Sequence, residues 1–315
     1  MPGSARIITV SLNPAVDRVL EVPNFRVGEH QTGLEVRRTP AGKGVNVSRV
    51  LAALKKPCVA TGFVGRDNRD DFRHVLAEDR TADEFFPLPG RTRENITITD
   101  PENSRETHIR DVGLEVDEPN FHRLLTKLGL ISREGNFVLF CGSTPPGIDE
   151  EKFAELVDTC LETGAHVAVD TSGPPLQAVA DRKLWLIKPN AAELAELVGR
   201  DLPDRDAQLA AARELAQRIE VVIFTSGAEG AYLLSPDQAV HAHVEIDPRE
   251  VRNTVGCGDV LLGAFVAGVY AGKDVREAFA EAIAAATAAA CHLVTAEFDP
   301  DLFQQLKQRV ELTDL

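Results

Sequence analysis

The sequence predicts an α/β fold in which helices cover both faces of a mainly parallel central sheet, with a small β-sheet lid beside it. Apolar runs of strand length alternate with amphipathic helical stretches along most of the 315 residues, a pattern typical of a parallel sheet. Several of these runs are apolar throughout, as expected of strands that are buried on both faces. Two stretches break this order, because residues 15–38 and 91–113 alternate polar and apolar residues without a helix.

Six runs are strand candidates, and four of them end in a cluster of Gly, Pro, Ser or Asn. In chain order they are "RIITVSL", "CVATGFVG", "FVLFCG", "HVAVDTS", "LWLIKPN" and "VVIFTSG". Helical patterns lie between them at residues 46–54, 150–162, 191–198 and 206–217. Ligands of such sheets bind beyond the carboxyl ends of the strands, so these clusters are where function is sought.

The two irregular stretches predict a separate sheet. "NITITD" and "ETHIRDV" read as two strands around a turn at residues 101–104. We therefore expect an α/β core of residues 1–14, 39–90 and 114–315, and a β-lid of residues 15–38 and 91–113. A sheet near the strand ends closes over a site, and its exposed edges favour a homodimer through the lid.

Composition narrows the class of protein. Lys and Arg number 34 and Asp and Glu 49, giving a net charge of −15. This balance argues against binding of nucleic acid or an anionic membrane, which needs a basic face. Small phosphates stay possible ligands, since a few Lys, Arg and backbone N–H groups bind them.

The five cysteines predict a reducing compartment. They show no CxxC or zinc-ligand spacing, and most sit among apolar residues, so reduced thiols are the simplest interpretation. No signal-like segment precedes the first predicted strand, and the longest apolar stretch, about residues 260–272, is too short to span a bilayer. We therefore expect a cytoplasmic protein.

The segment "NTVGCGDVLLGAFVAG" places a turn of Gly256, Cys257 and Gly258, followed by Asp259, directly before an apolar helix. Taken alone it is explained by helix capping, because Asp caps helix N-termini and Gly supplies turn conformations. It does not fit GxGxxG, and the first strand leads to "SLNPAVD". Both facts argue against an NAD-dependent oxidoreductase.

The segment "PAGKGVNVSRVL" places Gly42, Lys43 and Gly44 before a second helix. It is not a Walker A loop, which requires GxxxxGK[ST]. A glycine turn and a Lys at a helix N-terminus suit an anion. The alternative is an ordinary strand-to-helix turn with a solvated Lys.

The segment "KPNAAELAEL" places Lys188 at a strand end and Asn190 before a helix, with Glu193 three residues on. Lys188 suits phosphates, and Glu193 suits a water around Mg²⁺, which favours oxygen ligands. The alternative is a capping box, which has the same spacing.

The segment "FTSGAEGAYLL" carries Thr225, Gly227 and Gly230 after a strand. These residues suit phosphate or ribose oxygens, and they equally suit a plain hairpin turn.

In this order the segments resemble the PfkB (ribokinase-like) family of carbohydrate kinases over about residues 8–270. The matching pieces are "SLNPAVDRVLEV", "AGKGVNVSRVL", "GFVGRDN", "GRTRENITI", "GSTPPG", "VDTSG", "LIKPNAAEL", "TSGAEGA" and "NTVGCGD". The resemblance implies a ribokinase-like three-layer sandwich with a β-lid. "NPAVD", "AGKGVNV" and "GRTREN" are similar to the phosphosugar branch, whose members phosphorylate fructose 1-phosphate, tagatose 6-phosphate or fructose 6-phosphate.

The resemblance implies roles for the residues of these motifs. Asp259 corresponds to the base that takes a proton from the acceptor hydroxyl, and the backbone of Gly256, Cys257 and Gly258 to the anion hole for the transferring phosphoryl group. The acceptor-binding positions are Asp17, Gly42, Lys43, Asn46 and Arg93. The ATP-binding positions are Lys188, Asn190, Thr225, Gly227 and Gly230, and Glu193 would serve Mg²⁺ through water.

These roles agree with the demands of phosphoryl transfer, which needs alignment and charge neutralisation. N–H groups of a glycine turn at a helix start supply fixed dipoles where charge develops. The predicted function is ATP-dependent phosphorylation of fructose 1-phosphate to fructose 1,6-bisphosphate. The alternatives are a kinase of tagatose 6-phosphate or fructose 6-phosphate, and a non-catalytic sugar-phosphate sensor on the same fold.

Three departures from the family pattern stand out. Cys257 takes the place of the usual Ala between the glycines, where its backbone still serves. His108 and Arg110 replace the usual acidic residue and Asn of the lid segment. They change acceptor choice if they face the sugar, and are solvated surface if they face outward. The tail "HLVTAEFDPDLF" lacks the usual Gly-rich stretch, which leaves the adenine pocket undefined.

Overall fold

The protein is described here from a computed structural model that covers residues 6–315. The predicted core begins at residue 1, so its first five residues lie outside the described range. The strands are β1 (Ile7–Ser11), β2 (Ala15–Glu21), β3 (Leu34–Ala41), β4 (Cys58–Gly65), β5 (Ala82–Leu88), β6 (Glu94–Asp100), β7 (Arg105–Arg110), β8 (Phe137–Cys141), β9 (His166–Asp170), β10 (Leu186–Ile187), β11 (Val221–Thr225), β12 (Ala231–Leu234), β13 (Ala239–His243) and β14 (Glu311–Asp314). The helices are α1 (Lys43–Ala53), α2 (Arg69–Glu78), α3 (Glu118–Ile131), α4 (Glu150–Leu161), α5 (Pro174–Val179), α6 (Ala191–Val198), α7 (Arg205–Leu215), α8 (Cys257–Tyr270), α9 (Val275–Ala290) and α10 (Pro300–Lys307).

The central sheet has the strand order β14-β13-β12-β11-β10-β9-β8-β1-β4-β5. All neighbouring strands from β11 through β10, β9, β8, β1 and β4 to β5 pair in parallel. Strands β12, β13 and β14 extend the sheet with antiparallel pairs. The six predicted strands are confirmed as β1, β4, β8, β9, β10 and β11. The sequence did not predict β5, whose apolar residues are mixed with acidic ones and a proline, as an edge strand permits.

Both faces of the central sheet are buried, because successive side chains of a strand point to opposite faces. In β1, Ile7 packs into the core formed with α1, α8, α9 and α10, whereas Ile8 packs into the core formed with α3 to α7. Helix α8 is buried almost throughout, as its apolar sequence indicates. No helix within residues 6–315 is long and apolar enough to cross a membrane.

The two irregular stretches form one smaller sheet with the strand order β3-β2-β6-β7. Strands β2 and β6 are parallel and the two outer pairs are antiparallel. Strand β3 continues to Ala41, beyond the predicted end of the insert at residue 38, and leads directly into α1. The α/β fold class with a mostly parallel main sheet and a separate small sheet is confirmed.

Candidate active site

The carboxyl ends of the parallel strands bring three charged residues together. Asp170 is the last residue of β9 and fully buried, Lys188 follows β10, and Lys43 begins α1. Lys43 Nζ donates to Asp170 Oδ1 at 3.0 Å, and Lys188 Nζ lies 3.4 Å from the same oxygen. The site is therefore assembled from residues far apart in the chain, at the sheet edge where ligands of such folds bind.

Asp170 is a functional candidate that sequence analysis did not single out. Burial alone would raise its pKa, but the ammonium groups of Lys188 and Lys43 outweigh burial and hold the pKa below its ordinary value. The same ion pair raises the pKa of Lys43. The signal available in the sequence was an acidic residue at the end of the apolar run "HVAVD".

Asp259 lies in the first turn of α8 and is buried, with 5% of its surface exposed. Its Oδ2 accepts a hydrogen bond from Asn46 Nδ2 at 2.7 Å. Burial, reinforced by the negative charge of Asp170, raises its pKa to about 6, although Asn46 and the two lysines oppose that rise. A carboxylate with a pKa near neutrality suits a general base.

The turn before Asp259 exposes backbone donors. Gly256 has φ 83°, a left-handed conformation, and a Cβ there would lie 2.6 Å from Thr295 Cγ2, so only glycine fits without strain. The N–H groups of Gly256 and Gly258 donate to no acceptor between residues 6 and 315. Helix α8 thus begins with free N–H groups, the arrangement that binds anions.

Lys188 approaches this turn closely. Its Nζ lies 3.0 Å from the position that a Cβ on Gly258 would occupy. Cys257, between the two glycines, is half-buried, and burial raises the pKa of its thiol to about 11. The thiol therefore stays protonated at neutral pH.

The start of α1 meets the loop after β1. Gly42 caps the helix with φ 111°, and a Cβ there would lie 2.9 Å from the Cα of Pro14. Glycine at this position therefore lets "AGKG" pack against "NPAVD". As a result Lys43 and Asn46, one turn apart, reach Asp170 and Asp259 respectively.

A cavity of about 210 Å³ lies between the lid and the core. Asp17 lines it from the lid and accepts a hydrogen bond from Asn95 Nδ2 at 2.9 Å; burial raises the pKa of Asp17. Asn46 lines the same cavity from the core, as does Thr295. His108 also faces this cavity, with its Nδ1 3.1 Å from Thr97 Oγ1. His108 is therefore on the inward face of the lid, and its contact with the sugar stays a prediction.

Arg93 fastens the lid to the core through backbone carbonyls. Its NH2 donates to the carbonyl of Asn13 at 2.9 Å, its NH1 to that of Asp111 at 2.8 Å, and its Nε to that of Pro14 at 3.3 Å. A further contact joins NH2 to Ser143 Oγ at 3.4 Å. Burial, reinforced by the nearby Arg110, lowers the pKa of Arg93.

Asn190 and Glu193 form the capping box that was the structural alternative for this motif. Asn190 Oδ1 accepts from the Glu193 N–H at 3.0 Å, and Glu193 Oε2 accepts from the Asn190 N–H at 2.9 Å. Glu193 also lies close enough to raise the pKa of Lys43. Within residues 6–315 no group of three or more His, Cys, Asp or Glu side chains is placed to hold a metal ion.

Thr225 ends β11, and Gly227 and Gly230 lie in the turn that joins it to the antiparallel strand β12, so this segment forms a hairpin. The Thr225 N–H donates to the Pro189 carbonyl at 3.0 Å. The hairpin therefore adjoins the segment of Lys188 and Asn190, and the predicted ATP-binding positions lie at or just beyond the ends of the neighbouring strands β10 and β11.

Free N–H groups and a buried carboxylate at the start of α8, with two lysines beside them, suit the transfer of a phosphoryl group. The chain belongs to the pfkB family of carbohydrate kinases, whose family model matches residues 8–301. The predicted family and the predicted ATP-dependent sugar-phosphate kinase class are thereby confirmed.

Relatives and solved structures agree with this assignment. The chain is 31% identical to 1-phosphofructokinase of Haemophilus influenzae over 313 residues, covering 98% of each chain. It is 35% identical to 1-phosphofructokinase of Rhodobacter capsulatus over 274 residues, covering 86% of each. The structure of phosphofructokinase-2 from Escherichia coli in complex with substrates and products has a TM-score of 0.89 and 25% identity, covering 96% of this chain and 99% of that chain.

Proposed function

We propose that this protein transfers the γ-phosphoryl group of ATP to the 6-hydroxyl of fructose 1-phosphate and forms fructose 1,6-bisphosphate. The names of its relatives support this acceptor. One structural observation carries the proposal. The buried Asp259 is hydrogen-bonded to Asn46, and Asn46 lines the cavity beneath the lid. The Asn46 side chain thus connects the proposed base to the cavity that would hold the acceptor.

On the acceptor side, each residue has a distinct task in this proposal. Asp17 binds hydroxyl groups of the sugar from the lid, and Arg93 binds the phosphate, which suits a guanidinium fork. The Asn46 Oδ1 is buried without a hydrogen-bond partner within residues 6–315, which fits a hydroxyl donor of the sugar. Asp259 takes the proton of the attacking hydroxyl as its oxygen bonds to phosphorus.

On the donor side, the proposal assigns ATP to the edge formed by β10 and β11. Lys188 and Lys43 neutralise charge on the transferring phosphoryl group, which also accepts hydrogen bonds from the N–H groups of the turn at Gly256–Gly258. ADP leaves as the bond from the bridging oxygen to the γ-phosphorus breaks. The remaining ATP contacts are assigned to Asn190, Thr225, Gly227 and Gly230.

Mg²⁺ fits this site as a partner of the ATP phosphates. Asp170 Oδ2 is buried without a hydrogen-bond partner among the described residues, and Glu193 lies near Lys43. These carboxylates offer oxygen atoms to metal-bound water, the way Mg²⁺ usually contacts proteins. When bound, Mg²⁺ would neutralise charge on the β- and γ-phosphates.

The acceptor is tested by measuring ADP release with Mg-ATP across a panel of sugars. Fructose 1-phosphate is expected to give the highest kcat/KM, above fructose 6-phosphate, tagatose 6-phosphate, fructose, ribose and adenosine. Faster turnover of another phosphosugar would keep the kinase and refute this acceptor. Tight binding of a sugar phosphate without turnover of any acceptor would favour the sensor.

The lid supports a homodimer. Its outward face carries Leu20, Ile96, Ile98 and Ile109, opposite to the face that lines the cavity, and 52% of the Ile109 surface is exposed. Burying this face against a second lid removes apolar surface from water.

Light scattering is expected to give twice the chain mass, and Ile109→Glu to give a monomer. A wild-type monomer at micromolar concentration would refute the dimer.

We also assign the protein to the cytoplasm. All five cysteines are free and three are buried, as expected of a protein that works in a reducing compartment.

A further inference from the structure

Arg110 has no role in the proposed reaction so far, yet it lies beside residues that do. Across three neighbouring lid strands, Asp17 is in register with Asn95, and Asn95 with Arg110. Residues in register share a face of the sheet, and the hydrogen bond from Asn95 to Asp17 fixes that face as the one that lines the cavity. Arg110 therefore belongs to the same row as the predicted sugar ligand.

Arg110 also adjoins Arg93. The NH1 of Arg93 donates to the carbonyl of Asp111, the next residue in the chain. Arg110 is close enough to oppose the positive charge of Arg93, and both act on Asp17. The acids near this pair are Asp17 and Asp111. An anion bound between two guanidinium groups offsets the repulsion between their positive charges.

The two arginines differ in their free donors. Arg93 donates to three carbonyls and contacts one hydroxyl, so most of its five N–H groups are occupied. The Arg110 backbone pairs with Asn95 in the sheet, but its guanidinium makes no hydrogen bond or ion pair with any residue of the described chain, although Asp17 lies within reach of its charge. Its whole guanidinium fork is available for bidentate binding of an oxyanion.

We propose that Arg110 is a second phosphate-binding residue, which together with Arg93 holds the non-reacting phosphate of the acceptor and makes this kinase select phosphorylated sugars. The inference rests on the proposed function, because it assumes that a sugar phosphate is the acceptor. Arg93 anchors the lid edge to the loop after β1, and Arg110 supplies most of the hydrogen bonds to phosphate. The neighbouring His108 is hydrogen-bonded to Thr97, so we assign the phosphate contact to Arg110.

The test compares Arg110→Ala and Arg110→Lys with a control, Arg105→Ala. Arg105 lies on the same strand but on the opposite face, because it is an odd number of residues away. Hydrogen bonds between charged groups contribute enough that Arg110→Ala is expected to raise the acceptor KM about tenfold or more. The KM for ATP and kcat should change less than about threefold, because Arg110 lies away from the reacting atoms. Arg110→Lys keeps the charge without the fork and should recover part of the loss.

Inorganic phosphate provides a readout that a purely structural role would not move. It is expected to compete with the acceptor in the wild type and in Arg105→Ala, and to compete about tenfold more weakly in Arg110→Ala. If the wild type phosphorylates fructose 1-phosphate and a folded Arg110→Ala variant has an unchanged acceptor KM, the role of Arg110 is overturned and the proposed function stands. If the wild type turns over no phosphosugar, the proposed function itself fails.

Discussion

Replacing Asp259 with Asn is expected to lower kcat about 10²–10⁴-fold, the usual contribution of a general base. Asn is nearly isosteric and can still pair with Asn46, so the start of α8 keeps its shape. The free N–H groups of Gly256 and Gly258 and the lysines stay in place, so the dissociation constants of ATP and the sugar phosphate should change less than about threefold. Steady-state kinetics measures the loss of kcat, and equilibrium binding on the same preparation measures the dissociation constants.

The pH dependence of the wild type tests the same assignment. Since burial and Asp170 raise the pKa of Asp259 to about 6, its active, deprotonated form accumulates above that pH. Acceptor kcat/KM should therefore rise with pH through this region. The acceptor phosphate also titrates near pH 6. The part of the pH profile that is due to Asp259 is therefore identified by comparing the wild type with Asp259→Asn. A kcat limb that persists unchanged in Asp259→Asn, or near-normal kcat in that variant, contradicts the role of base.

Much of the fold follows from local sequence pattern. Continuous apolar runs predict buried parallel strands, and the six candidates are strands of the central sheet. Alternating residues in two inserts predict a second sheet, because a strand that is exposed on one face has period two. Strands β12 to β14 were not predicted, since each has only four or five residues and such short strands owe their structure to pairing with their neighbours.

The site is harder to predict because its key contacts join distant residues. The motif "AGKGVNV" indicates an anion site, but not that Lys43 would pair with Asp170, 127 residues further on. Nor does it indicate that Asn46 would bond Asp259, 213 residues away. Such pairs arise from the order of strands in the sheet, and a single sequence does not encode that order locally.

Arg93 and Arg110 illustrate the same limit. From the sequence, the resemblance of "GRTREN" implies that Arg93 is a phosphate ligand. Arg110 is a departure from the family pattern that either changes acceptor choice or is solvated surface. The structure adds which guanidinium donors are already occupied by backbone carbonyls. The number of free donors depends on tertiary contacts, so a residue type alone does not predict it.

Asp170 and Asp259 show how one site keeps two carboxyl groups in different states. Asp170 lies against two ammonium groups, so its pKa is lowered. Asp259 is buried beside the negative charge of Asp170, so its pKa is raised although the Asn46 amide opposes that rise. Environments that push two pKa values apart separate their roles. In the proposed mechanism, Asp170 is therefore the fixed negative charge that positions the lysines, and Asp259 is the group that exchanges protons.

The replacement of Asp170 with Asn is therefore expected to affect both stability and the pH profile. It leaves Lys188, of whose side chain 7% is exposed, without its charged partner. Breaking a buried ion pair by removing one partner typically lowers the free energy of unfolding by about 3–5 kcal/mol. With the negative charge of Asp170 gone, the pKa of Asp259 falls, so the acid limb of kcat/KM moves to lower pH.

Denaturant unfolding and the pH–rate profile measure these two effects, with Asp158→Asn as the matched control. Asp158 pairs with Arg182 at the surface, with 41% of its side chain exposed, so its loss should cost less than about 1 kcal/mol. Mg-ATP should raise the melting temperature of Asp170→Asn more than that of the wild type, because its phosphates give the lysines new partners. A loss of stability no larger than the control's, with an unmoved acid limb, would show that Asp170 neither holds the lysines nor raises the pKa of Asp259.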